Sequence, residues 1–307
     1  MTRNVARPVL SQRINRLLRF LPGAALCVPA AVHDARVATR RLREALPVVA
    51  RGRKGKALLK AVRKITRALG PVRELDVALT TLTEFGSSRG VSRDSIARVK
   101  AAIIDERRPL CDHLPKRLER HDIKTLGQHV TDQATVPLTT IETRALFAKV
   151  DERCARRAVR LRAAIEDAAG IYLPDRLHAV RIGVKKLRYA VELSQDLRNA
   201  RRTLRTARTS GSAKAVSTRL RILRQTQDLL GRMNELEVLI ARMRALQGTP
   251  TVTGLRVSAD LDDLVRRLEN ECRVLHGQYM AAREHLLMVC DHAEASNRKY
   301  QRVSSEA

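Results

Sequence analysis

The chain has 307 residues, 60 Lys+Arg against 32 Asp+Glu, a net charge of +28 and a pI near 11.2. Hydrophobic residues at 44% exclude wholesale disorder, while aromatics at 2%, with no Trp, exclude base-stacking platforms and disfavour a large β-sandwich. Charge on this scale attracts polyanions, which leaves nucleic acid, anionic membrane or an inorganic polyanion as partner classes.

Residues 3–19 are basic and residues 20–32 largely apolar, a pattern like a secretion signal ending in Ala30 and Ala31. Pro22, Gly23 and Pro29 interrupt it, so the stretch is read as two helices joined by a loop. Apolar residues at i, i+3, i+4 and i+7 predict helices over 35–49, 57–69, 93–118, 141–169, 177–193, 218–246 and 255–289. Gly, Pro and polar clusters predict breaks at 47–55, 86–90, 121–137, 170–174, 199–213 and 248–254. No run of strands is convincing, and no apolar stretch approaches the roughly 20 residues of a membrane span. Cys27, Cys111, Cys154, Cys272 and Cys290 show neither C-x-x-C nor zinc-site spacing. They are expected to be reduced, mostly buried thiols of a cytoplasmic protein.

The chain repeats itself. His33-x-x-Arg36-x-x-x-Arg40-Arg41-Leu42-Arg43 matches His178-x-x-Arg181-x-x-x-Lys185-Lys186-Leu187-Arg188 at an offset of 145 (178 minus 33). Leu69-Gly70-x-x-Arg73-Glu74-Leu75-Asp76-Val77 matches Leu230-Gly231-x-x-Asn234-Glu235-Leu236-Glu237-Val238 at an offset of 161 (231 minus 70). The two motifs keep their order, so the predicted fold is all-α: two four-helix bundles from an internal duplication, related by a pseudo-two-fold axis. The expected division is one domain over 1–289, as half-repeats 11–140 and 141–289, followed by a polar tail over 290–307.

On a helix turning about 100° per residue, His33, Arg36, Arg40 and Arg43 share a face about 80° wide, and His178, Arg181, Lys185 and Arg188 share the same face of the second copy. Leu42, Leu46 and Val49, or Leu187 and Val191, fall opposite and can pack. Successive cations sit about 4.5–6 Å apart along the axis, a spacing suited to a repeating anion. A solvated helix face usually mixes signs for i,i+4 pairing, which these faces do not. Lys56, Lys60, Arg63, Lys64 and Arg67 extend the patch on the next helix, and Arg221 and Arg224 are its thinner counterpart; Arg41 and Lys186 adjoin the stripes.

These motifs resemble the CHAD domain, the conserved histidine α-helical domain, over about 11–289. The resemblance implies paired four-helix bundles that bind inorganic polyphosphate on a basic central surface, without catalysis by the domain itself, in proteins associated with polyphosphate granules. It carries the contact role to His33, Arg36, Arg40, Arg43, His178, Arg181, Lys185 and Arg188. Glu74 and Glu235 stand where the family usually has Asp, which keeps the charge. The long basic linker before Thr218 also departs from the pattern.

Three roles compete for His33 and His178: phosphate donors, metal ligands, or structural residues at a helix start. A metal is disfavoured because neighbouring Arg residues repel a dication, and no cofactor is expected. Glu74/Asp76 and Glu235/Glu237 could converge on Mg²⁺ in a phosphohydrolase. The preferred reading has them orient Arg residues or cap helices, because Glu235-x-Glu237 lacks the Lys of the E-x-E-x-K motif in the triphosphatase often fused to this domain. Polyphosphate binding is therefore the leading function. Nucleic acid is the main rival partner, expected only as a non-specific competitor, and hydrolysis is the third reading.

Overall fold

Long Ala- and Leu-rich periodic segments become helices because each has one apolar face to bury. A computed structural model describes residues 4–50, 52–86, 92–168, 170–205, 211–247 and 255–305. Among the described residues there are nine helices and no strand: α1 (Ala6–Ala25), α2 (Pro29–Val49), α3 (Gly52–Gly86), α4 (Arg93–Glu119), α5 (Ile123–Gln133), α6 (Thr140–Asp167), α7 (Pro174–Arg205), α8 (Gly211–Gln247) and α9 (Leu255–Ser305). Local chemistry fixes several starts. Pro29 occupies the first turn of α2, Ser92 and Asp122 accept backbone N–H bonds from Ser95 and Thr125, and Thr139 with Glu142 forms a capping box on α6.

The first core joins Leu17, Leu42, Leu58, Ile65 and Leu69 to the end of α4 at Leu114 and to Ile123 and Val130 of α5. The second joins Leu161, Val184, Leu187, Leu223, Tyr279 and Leu286, with α6 and α8 each packed between α7 and α9. Two shared clusters weld the halves. Leu75, Leu82 and Ile103 of α3–α4 meet Leu236, Met243 and Leu264 of α8–α9. Val9 and Val48 of α1–α2 meet Phe147, Val150 and Leu193 of α6–α7. Each shared cluster thus pairs elements with their counterparts in the sequence repeat, an arrangement compatible with a duplicated architecture.

Several boundaries differ from those expected. α3 does not stop at Leu69 but runs through Gly70-Pro71 to Gly86. An interior proline costs a helix roughly 3 kcal/mol, but Leu69 and Val72 lie in the first core and Leu75, Ala78 and Leu82 in the shared one, so an unbroken helix buries both sets. The expected break at 121–137 contains α5, whose Ile123, Gly127 and Val130 are buried. The break at 199–213 narrows as α7 continues to Arg205, and residues 206–210, like 87–91 and 248–254, lie outside the described residues. The expected polar tail is helical from 290 to 305, and Cys290 and Ala293 belong to the second core.

The joint between α1 and α2 splits the apolar stretch as expected. Gly23 is needed there, since a Cβ would meet that of Ala31 at 2.8 Å. Cys27 ends α1 in the left-handed region, at φ 54°. The thiol expectation is corrected: Cys27 and Cys111 form a disulfide between residues 84 apart, and Cys154, Cys272 and Cys290 remain buried thiols. A pairing at that separation leaves no mark in cysteine spacing. No described helix is long and apolar enough to cross a membrane.

Candidate polyanion groove

Burial decides which way the stripes face. Val32, Ala35, Ala38 and Leu42 sink the opposite side of α2 into the first core, and Leu177, Val180, Val184 and Leu187 do the same for α7. Because α2 and α7 pack against each other, their polar faces are brought to the same side. They line one open cleft of about 790 Å³, with α3 and α8 as its outer walls and Arg16 of α1 at its side. Of the eight stripe residues, seven line it: His33, Arg36, Arg40, His178, Arg181, Lys185 and Arg188.

The two stripes feel each other. Lys185 is pushed down to about 6, first by burial, then by Arg181, Arg40 and Arg36, against a smaller upward pull from Glu235. Arg36 falls to about 10 through burial, Arg40 and Arg73, with Arg181 contributing across the cleft. Burial and then Arg40 lower Arg181, and burial and then Arg73 lower His33. Arg40 has no hydrogen-bonded or ion-paired partner among the described residues, and neither does Lys185. The unliganded groove therefore carries a repulsion that a bound anion relieves.

Neighbours orient the donors, differently in the two halves. Arg36 donates from Nη1 to the Thr66 carbonyl oxygen at 3.1 Å, lying over α3 where a Cβ at Gly70 would come within 3.2 Å of that nitrogen. Gly70 thus clears space for a site residue, whereas a Cβ at Gly231 meets nothing within 4 Å. In the second half Asn234 Oδ1 accepts from Arg181 Nη1 at 3.0 Å and faces His178 Nδ1 at 2.7 Å. An amide oxygen can only accept, so His178 Nδ1 donates to it and Nε2 points away from Asn234. Arg73 holds the corresponding motif position in the first half.

The remaining candidates divide. Arg188 is mostly committed: its side chain is 11% exposed, 3.3 Å from buried Glu192, and its guanidinium stacks on the Tyr189 ring at 4.6 Å. Arg41 lines the cleft but pairs with Glu192 at 3.1 Å, and Arg224 reaches the same carboxylate at 3.9 Å. Arg43, expected in the groove, lies outside it, one turn beyond Arg40 and beside Arg63 and Arg67. Lys56, Lys60, Arg63, Lys64 and Arg67 are exposed on α3 outside the cleft, as is Lys186 on α7. Arg221 faces a separate hollow of about 580 Å³ between α8 and α9.

Arg16, Arg73, Asn234 and Gln227 line the groove without having been singled out. Arg73 and Asn234 were legible in principle as one variable position of a repeated motif. Arg16 carries no local signal. Three of the four acids have structural partners: Glu74 meets Arg242 at 3.2 Å, buried Asp76 meets Arg107 at 2.8 Å, and Glu237 accepts from the Tyr172 hydroxyl, while Glu235 lines the groove. Among the described residues no group of three His, Cys, Asp or Glu could hold a metal ion.

The CHAD domain family matches residues 9–244. The chain belongs to the CHAD domain family. No curated protein matches it. Among solved structures, this CHAD chain is similar to the CHAD domain from the plant Ricinus communis, at 19% identity over 94% of this chain and 90% of that one, with a TM-score of 0.59. It is also similar to PptA from Streptomyces chartreusis, at 15% identity over 97% of this chain and all of that one, with a TM-score of 0.50. At these identities the likeness concerns the fold. The matched span 9–244 contains both stripes and both L-G motifs, while α9 lies beyond it.

Proposed function

We propose that this chain binds inorganic polyphosphate, without transforming it, in the groove between α2 and α7. The single observation that carries the reading is that both cationic stripes face one open cleft of about 790 Å³, where Arg40 and Lys185 have no partner among the described residues. Such an arrangement costs the free protein energy and rewards a ligand with closely spaced negative charges. His33, Arg36, Arg40, His178, Arg181 and Lys185 are its contacts, with Arg73 and Arg16 at the walls. Arg supplies paired N–H donors to phosphate oxygens and Lys185 a point charge. A cytoplasmic place on polyphosphate granules, with granule proteins as further partners, belongs to the same proposal.

The test is competition at physiological salt between labelled long-chain polyphosphate and duplex DNA or RNA of matched charge. Polyphosphate should resist displacement; ready displacement by nucleic acid would hand the groove to the rival ligand. Phosphate release should be absent with Mg²⁺. Sustained turnover, lost in Glu235→Gln/Glu237→Gln, would make the protein a hydrolase instead.

A further inference from the structure

The sequence between Glu44 and Glu74 contains no acidic residue, and α3 begins within it. The buried face of α3 is Leu58, Ala61, Val62, Ile65 and Leu69. The opposite face presents Lys56, Lys60, Arg63, Lys64 and Arg67, all exposed and all without an ion-pair partner among the described residues. At about 100° and 1.5 Å per residue they form a band about 100° wide and about 16 Å long. A face of one sign without i,i+4 acids is unfavourable alone.

The band is continuous with the groove. Arg36 in the groove donates to the Thr66 carbonyl oxygen at 3.1 Å, next to Arg67 of the band, and Arg43, one turn beyond Arg40, feels both Arg40 and the band's Arg63 and Arg67. Glu44, the acid next to Arg43 in sequence, is buried and held by Arg153 and by Arg157 at 2.8 Å. Among the described residues the second half has no equivalent exit. There, Arg224 turns to Glu192, Arg221 lines another hollow, and Asp228 stands where the first half has Arg67.

We propose that a linear polyphosphate held in the groove leaves it past Arg40 and Arg43 and continues along the outer face of α3, giving the protein a one-sided footprint longer than the groove. The inference rests on the groove reading and adds a chain-length threshold to it. Tripolyphosphate reaches only the groove, whereas a long chain also gains the α3 contacts.

The experiment compares tripolyphosphate with long-chain polyphosphate on three full-length proteins: wild type, the quintuple variant K56Q/K60Q/R63Q/K64Q/R67Q, and R36Q/R40Q. The quintuple variant should bind tripolyphosphate within twofold of wild type but long chains at least tenfold more weakly. Its salt slope for long chains should flatten by up to about 3.5, at roughly 0.7 per counterion no longer released. Unchanged long-chain affinity and slope, or equal losses for both lengths, would overturn the track. R36Q/R40Q should lose both ligands; if it binds both normally, the groove reading itself fails. Lysine acetylation of the wild type gives a readout without substitutions. Lys56, Lys60 and Lys64 should be protected by the long chain and not by tripolyphosphate, and equal reactivity in both complexes would refute the track.

Discussion

Lys185 offers the sharpest test of the groove. Free of ligand, its amine sits near 6 rather than at its ordinary 10.5 and is neutral at pH 7 to 9. Burial and three guanidinium groups, Arg181, Arg40 and Arg36, hold it there, and Glu235 is the one acid that opposes them. A phosphate bound between the stripes favours the ammonium, so binding in this window takes up a proton. One proton taken up costs tenfold in affinity, about 1.4 kcal/mol, for each step of one in pH. From pH 7 to 9 the dissociation constant for long-chain polyphosphate should therefore rise by roughly ten- to a hundredfold, the larger figure being the limit of complete coupling. His33 is already lowered below its usual range and contributes little there. Lys185→Arg, charged throughout, should abolish most of this dependence, and Lys185→Met should abolish it while binding more weakly at pH 7. Calorimetry in buffers of different ionisation enthalpy reads the proton directly. Identical pH slopes in wild type and Lys185→Arg would refute the reasoning. The linkage to folding has the opposite sign. The folded free protein holds fewer protons here than the unfolded chain, so its stability rises with pH between about 6 and 10.5.

Charge reversal of Arg36 and Arg40 should cost at least tenfold in polyphosphate affinity, against less than twofold for reversal of Arg298 and Lys299, measured by fluorescence anisotropy. Gly231→Ala, with no protein atom in the way of its Cβ, should stabilise α8 by up to about 1 kcal/mol in urea unfolding. Gly70→Ala should forfeit that gain, because it crowds Arg36 and precedes Pro71, and should weaken binding severalfold. Glu192→Leu leaves Arg41 and Arg188 without their carboxylate and should cost about 3 kcal/mol in urea unfolding, part of it recovered on adding polyphosphate. Thiol counting on denatured, unreduced protein should find three free cysteines, and reduction should lower stability by about 2–4 kcal/mol.

Sequence alone carried the helical class and the repeated cationic stripes, because each is a local property. A 3.6-residue period places His33, Arg36 and Arg40 on one side of α2 whatever α2 packs against, and the same pattern recurs at His178, Arg181 and Lys185. Helix ends were less legible where packing outweighed local signals. Gly70-Pro71 reads as a stop, yet Leu69 and Leu75 bury on either side of it in two different clusters. Which cations are available to a ligand was decided by tertiary structure. Arg40 and Arg188 look alike within their motifs, but Glu192 on α7 claims Arg188 and Arg41, while Arg40 has no ion-pair partner among the described residues. The Cys27–Cys111 pairing and the arrival of Arg16 at the groove are likewise products of chain return. Periodicity fixes where a side chain points about its own helix axis; only the packing of one helix on another fixes what stands in front of it.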